Sequence, residues 1–173
     1  MLCVNKLTPN DFPQIERIFK ATFPRTDDAD FANAWRTKEC NYSLGLFHKA
    51  TLVGFAITCL DDADGAAAAA HLWFIAVDAE QRSTGAGSQL LTALIETVQA
   101  DGLRLVLTPD NNQRVINWYK KHGFIITKTM PFIHQDIPTC WMELDYREPD
   151  SPISTLTLSS RESISIDGDA LEI

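Results

Sequence analysis

No two of the four cysteines, Cys3, Cys40, Cys59 and Cys140, lie close together in the chain. The short pairwise spacings of zinc sites and dithiol redox motifs are therefore missing. The cysteines read as reduced packing residues, and no metal is expected. Basic residues are scarce as well: 15 Lys and Arg stand against 23 Asp and Glu, for a net charge of −8. That balance argues against a nucleic-acid partner, because phosphate neutralisation dominates such affinities. A cationic partner suits it better. The longest apolar run, Ala66 to Val77, is broken by His71 and falls short of the roughly 20 residues that span a bilayer. No membrane association is expected. The opening MLCVNKLTPND lacks the basic patch, apolar run and small-residue cleavage site of a secretory leader. A cytoplasmic protein is expected.

What is present suits a globular chain. The 173 residues are 45% hydrophobic and 22% charged, a composition that buries a core, and the length suits one domain. Thr8-Pro9-Asn10-Asp11 carries a cap, a proline and an acid in the order of a helix start, and Phe12, Ile15, Ile18 and Phe19 follow at helical spacing. Phe23-Pro24 ends that helix, and a second runs through Asp30 to Arg36. Tyr42 to Phe47 and Leu52 to Leu60, parted by His48-Lys49, predict a β-hairpin. After the turn cluster Asp61 to Gly65, His71 to Val77 predicts a central strand. A helix bearing Leu90, Leu91, Leu94, Ile95 and Val98 on one face ends near Asp101-Gly102. Leu103 to Leu107 is a further strand, Asn112 to His122 a short helix, and strands follow near Phe124 to Lys128 and Cys140 to Tyr146. The order predicts an α/β fold with a mixed sheet flanked by helices.

From Arg147 the composition turns rich in Ser, Thr and Asp. Residues 1–146 read as the folded domain and 147–173 as an acidic tail, flexible or carrying short added strands. The charge divides evenly: 13 basic and 17 acidic residues in the domain, 2 and 6 in the tail. Half of the preference for cations therefore lies outside the domain.

The chemistry is concentrated in two stretches. Arg82-Ser83-Thr84-Gly85-Ala86-Gly87-Ser88 joins a strand to a helix through a glycine-bearing turn, which aims free backbone N–H groups and the positive helix end at one point. Such a turn suits a pyrophosphate, or is simply a strand-to-helix connection. The second stretch, Asn112 to Phe124, places Asn112, Tyr119, Gly123 and Phe124 along a short helix. Together, Arg82-x-x-Gly85-x-Gly87 and Asn112-x6-Tyr119-x3-Gly123-Phe124 resemble the GNAT N-acetyltransferase superfamily, and the likeness in element order covers Met1 to Tyr146.

The resemblance implies a co-substrate, acetyl-CoA, lying where two parallel strands part. Its pyrophosphate would rest on Arg82, Ser83, Thr84, Gly85, Ala86, Gly87 and Ser88. Ile75 and Val77 would offer backbone groups to the pantetheine arm, and Asn112 a side-chain contact; Asn112 also reads as a helix cap. Direct transfer to an amine sets two proton problems. An amine of pKa about 10.4 is protonated at neutral pH and needs a base. The departing thiolate needs a hydrogen-bond or proton donor, and Tyr119 occupies the family position for it; without the motif it reads as a core aromatic. Many family members carry a Glu eleven residues before the turn arginine, where this chain has His71. A histidine near pKa 6.5 takes protons near neutrality, and the residue reads equally as an ordinary strand-start histidine. Asp110 is a second candidate base, which also reads as a cap, and His122 and His134 are weaker ones.

The acceptor cleft implied by the family is built from residues around Phe23 to Asp30 and Met130 to Thr139. A polyamine or other small cationic amine is the first expectation for the acceptor, and a protein lysine or N-terminal amine the second. The rival is an acyl-CoA-binding module without transfer, kept open by the substitution at His71. A Rossmann-type nucleotide enzyme is disfavoured, since the turn lacks the third glycine and follows several strands.

Overall fold

The computed structural model describes residues 1–61, 69–109, 112–134 and 137–144, with the side chains of 61 and 130–139 outside that set. Asp62 to Gly65, Asp110 and the tail from Arg147 lie outside the described residues. So do the side chains of His134 and of the expected acceptor segment Met130 to Thr139.

The chain opens with a strand that the sequence pattern did not announce, β1 (Leu2–Lys6). The Thr8 backbone N–H and hydroxyl both donate to the Asp11 carboxylate at 2.8 and 2.7 Å. That box closes a single 3-10 turn, Pro9–Asp11, and helix α1 (Phe12–Thr22) begins only after it. Ile15, Ile18 and Phe19 are its buried face. Phe23 N–H donates to Phe19 O at 2.8 Å, and Pro24 cannot extend the ladder. Helix α2 (Asp28–Thr37) starts two residues earlier than its apolar pattern suggests, because Asp27 caps it by accepting from Ala29 N–H at 2.8 Å. The expected hairpin is β2 (Leu44–His48) and β3 (Thr51–Asp61), turning through Lys49 at φ 57°.

The remaining elements are β4 (Ala69–Val77), α3 (Ala86–Ala100), β5 (Arg104–Leu107), α4 (Gln113–Lys121), β6 (Phe124–His134) and β7 (Ile137–Leu144). The last two are longer than expected. Register shifts between Ile126 and Lys128 and between Met130 and His134 break their alternation, so a period-two search stops early. Pro131 is tolerated because β6 is the sheet's edge.

The seven strands run in the order β1-β2-β3-β4-β5-β7-β6. Among the described residues only β4 and β5 are parallel; every other neighbouring pair is antiparallel. On one face α1 and α2 cover Phe55, Ile57 and Ala76 with Ile15, Ile18, Phe19 and Phe31. On the other, α3 and α4 cover Leu44, Leu46, Leu72, Leu105 and Leu107 with Leu90, Leu91, Leu94, Ile116 and Tyr119. Each fully buried side chain of this size contributes about 1.5–3 kcal/mol.

Candidate functional site

The parallel pair is the feature on which the site is built. Its register runs from Ala69 opposite Arg104 to Leu72 opposite Leu107 and then stops. Strand β4 continues for five residues, Trp73 to Val77, paired on its other side with β3 from Phe74 onward. At the point of parting, the register with β3 shifts between Ile57 and Thr58, and Trp73 is the extra residue on β4. A bulge of this kind bends a strand and re-aims its side chains. Before it, Ala70 and Leu72 face α3; after it, Ile75 and Val77 do, while Phe74 and Ala76 face α1 and α2. The backbone of Ile75 and Val77 thus runs along a cleft with no β5 residue in register.

At the end of that cleft lies the glycine turn. A 3-10 turn, Ala79–Gln81, leads into it from Asp78, whose carboxylate accepts from Glu80 N–H. Ser83 and Gly85 are left-handed, at φ 65° and 86°. Gly85 suits this conformation, and Ser83 adopts it at a cost of about 1–2 kcal/mol. The Thr84 hydroxyl donates to Gln81 O at 2.7 Å and closes the turn on itself. Gln89 N–H makes the first bond of α3, to Gly85 O. The N–H groups of Ala86, Gly87 and Ser88 precede it and have no partner within the helix. They converge at the positive end of a 15-residue helix. A Cβ built at Gly85 meets nothing within 4 Å, so the turn is open on that side.

The second motif folds as α4. Asn112 caps it, its side chain accepting from Arg114 N–H at 3.0 Å. Tyr119 is 6% exposed, with its ring centroid 4.9 Å from that of Trp118 and 5.5 Å from that of Phe124. The helix stops at Gly123, φ 91°. His122 is turned back on its own helix, Nδ1 lying 2.8 Å from Trp118 O.

His71 lies on the opposite face of the sheet from Tyr119. It alternates with Ala70 and Leu72, and its ring packs against Trp141 at 5.0 Å and Trp73 at 6.2 Å. Trp141 donates from its indole N–H to Glu143, which also takes Arg104 at 3.2 Å. The two expected proton-handling residues are therefore separated by the sheet itself, flanking the place where β4 and β5 part.

Several connections escaped the sequence. Trp118 Nε1 donates to Ser88 Oγ at 3.3 Å, tying the two motifs together. Arg82 donates from its guanidinium to Thr22 Oγ1 at 3.2 Å, so its side chain holds the end of α1. Arg17 pairs with Asp78 at 2.7 Å, and that guanidinium holds the Asp78 carboxyl below its usual range. None follows from spacing, because each joins residues distant in the chain. Burial pushes the Cys140 thiol up, in keeping with a packing role. No group of His, Cys, Asp and Glu among the described residues is arranged to hold a metal ion, and no described helix is long and apolar enough to cross a membrane.

The profile of the acetyltransferase (GNAT) family matches residues 11–124, well over half of the chain. No curated protein matches the sequence. Among solved structures, Arabidopsis thaliana Naa50 in complex with the bisubstrate analogue CoA-Ac-MVNAL is similar at 22% identity and a TM-score of 0.66, over 82% of this chain and 96% of that one. The ribosomal-protein-S18-alanine N-acetyltransferase from Escherichia coli is similar at 22% identity and a TM-score of 0.68, over 88% and 99%. Ard1 from Thermoplasma volcanium is similar at 21% and 0.69, over 82% and 95%.

Proposed function

Because the chain belongs to the acetyltransferase (GNAT) family, we propose that it moves an acetyl group from acetyl-CoA to a primary amine, by direct transfer in a ternary complex. The observation that carries this reading is the parting of β4 from β5 after Leu72, with the N–H groups of Ala86, Gly87 and Ser88 at its end. The pantetheine arm lies along Ile75 and Val77, with Asn112 beside it. The pyrophosphate rests on the turn from Arg82 to Ser88. Backbone amides carry most of that grip, since the Arg82 and Thr84 side chains already have protein partners. Residues 1–146 form the transferase unit and 147–173 a tail outside it.

In the transfer the protonated amine first gives up one proton; its nitrogen then bonds to the thioester carbonyl carbon, the C–S bond breaks, and the second proton leaves nitrogen as sulfur gains one. On this reading His71 accepts the first, directly or through water, and Tyr119 hydrogen-bonds or protonates the sulfur from the other face. A tyrosine near pKa 10 is a weaker acid than a thiol near 8.5, so its help comes late.

For the acceptor, the acidic balance favours small cationic amines, but half of that charge lies in the tail. The Arabidopsis structure holds a peptide-bearing analogue, and the bacterial enzyme is named for a protein alanine. Both support placing a peptide α-amine ahead of a polyamine. The test is CoA release by the full chain with acetyl-CoA and a panel of peptides, polyamines and lysine-containing peptides. Release with peptides supports the reading, and release confined to polyamines reverses the acceptor order. Tight acetyl-CoA binding with no acceptor-dependent release means a binding module and overturns it.

A further inference from the structure

The sheet ends at β6, and the first half of that strand is bare. Ile125, Ile126, Thr127, Lys128 and Thr129 are all exposed. Ile125 lies opposite Glu143 and Ile126 opposite the buried Met142, so the two isoleucines project from opposite faces of the sheet. They are nevertheless 39% and 42% exposed. Among the described residues no strand pairs with the outer side of β6, and an open row of N–H and C=O groups is a template for a further strand. The usual guards of such an edge come later in β6: the register shift before Lys128, Lys128 itself and Pro131.

Where the chain goes next identifies an occupant. Leu144, the last residue of β7, is in register with Phe124, the first of β6, so the chain leaves β7 beside the bare half. The free edge lies two strand spacings from β7, about 10 Å. Asp145 to Pro152 supply eight residues, which at about 3.3 Å each span that distance more than twice over. Beyond Pro152, Ile153-Ser154-Thr155-Leu156-Thr157-Leu158 alternates Leu156 and Leu158 with Thr155 and Thr157, the period-two pattern of a strand. The charges agree. Residues 111–135 hold four Lys and Arg and no Asp or Glu, whereas 147–173 hold two basic and six acidic residues. Among the described residues none of Arg114, Lys120, Lys121 and Lys128 is paired with a carboxylate. A second copy of the chain would bring the same cations against themselves; the tail brings the opposite sign.

We propose that Ile153 to Leu158 adds to the free edge of β6 as an eighth strand, running parallel to β6 from Phe124 onward. Its backbone takes up the outer N–H and C=O groups, its leucines extend one face of the sheet and its threonines the other. Because the segment is tethered, it meets the edge at an effective concentration in the millimolar range and outcompetes strands from solution. The tail thereby closes an edge that would otherwise pair with other chains, and it does so without any part in the transfer chemistry.

The test is hydrogen–deuterium exchange of the full chain, read by mass spectrometry over residues 124–129 and 153–158 at two protein concentrations and repeated on Leu156→Pro and Thr157→Pro. Neighbouring residues of a strand point their N–H groups to opposite sides, so one of the two prolines removes a pairing donor. A thermal melt and the exchange of β4 check that each variant keeps its fold. In the wild type, 153–158 should exchange about tenfold or more slower than an unstructured peptide of the same sequence, at both concentrations. At least one proline variant should speed 153–158 and 124–129 together, with β4 unchanged. Exchange of 153–158 at the unstructured rate in the wild type overturns the proposal, as does protection kept in both variants. Protection lost from 153–158 while 124–129 stays as before places the tail elsewhere and overturns it. Protection that fades on dilution marks a strand lent by a second copy and overturns it too.

Discussion

The two faces of the sheet meet at the parting of β4 and β5, and they are constructed differently. On the α3 side the site consists of main chain: a left-handed Gly85, three helix-end N–H groups and a strand edge. On the α1 side it consists of side chains, with His71 between Trp73 and Trp141, and with Phe19 stacked on Phe31 at 4.0 Å and meeting Phe74 edge-on at 5.2 Å. A main-chain site tolerates many residue types but fixes the positions of its glycines, so it leaves a spacing pattern. A side-chain site is assembled from separate strands and leaves none.

The sharpest way to break this contrast is Gly85→Glu, which removes the residue suited to φ 86° and sets a carboxylate before the helix-end amides. Acetyl-CoA binding should vanish by calorimetry, and a retained affinity would show that the turn does not hold the co-substrate. Tyr119→Phe comes next: it keeps the ring packed between Trp118 and Phe124 and removes only the hydroxyl. Turnover should fall by about a hundredfold, the usual worth of a positioned acid, with acetyl-CoA affinity nearly unchanged. An equal fall in affinity would make Tyr119 a packing residue and nothing more. His71→Ala probes the other face. Wild-type kcat/KM should decline on the acid side of roughly pH 6–7, and the variant should be slower and lack that limb. A limb that persists would identify another group as the base.

The smallest effect lies in the scaffold that both faces share. The Tyr42 hydroxyl donates to the Asp101 carboxylate at 2.7 Å, and that bond, with burial and the neighbouring charge, pushes the phenol up to about 12. Tyr42→Phe should lower stability by about 1 kcal/mol without altering either face. Because the folded pKa is raised, the bond's contribution is complete below the unfolded value near 10 and is lost as pH rises from there through 12. The stability difference between the two proteins should close over that window in denaturant melts.

The same contrast explains how much could be read from sequence. The glycine turn, α3, the Asn112 cap and the central strand were legible because each follows from local chemistry: a left-handed glycine, a 3.6-residue apolar period, an Asn before a helix. Strand β1 was not, since LCVNK is short and half exposed at the sheet's edge. Nor was the bulge at Trp73, where one extra residue reverses which of the later side chains face α3 and sends Phe74 to the face of His71. Sequence placed His71 in the strand but not between two indoles, because Trp141 arrives from a strand seventy positions later.

Helix α1 is fastened to the β4–α3 connection twice, by Arg17 on Asp78 and by Arg82 on Thr22, across separations of 61 and 60 residues. Synthesis proceeds from the N-terminus, so α1 waits on the ribosome without these partners until the chain has grown past Arg82. The N-terminal segment is therefore a latecomer to its own fold. Its apolar face of Ile15, Ile18 and Phe19 meets Phe55 and Ile57 once the hairpin is made, but its two polar ties form only after Asp78 and Arg82 have been added, so the end of α1 is tied down only once the glycine turn exists to receive it.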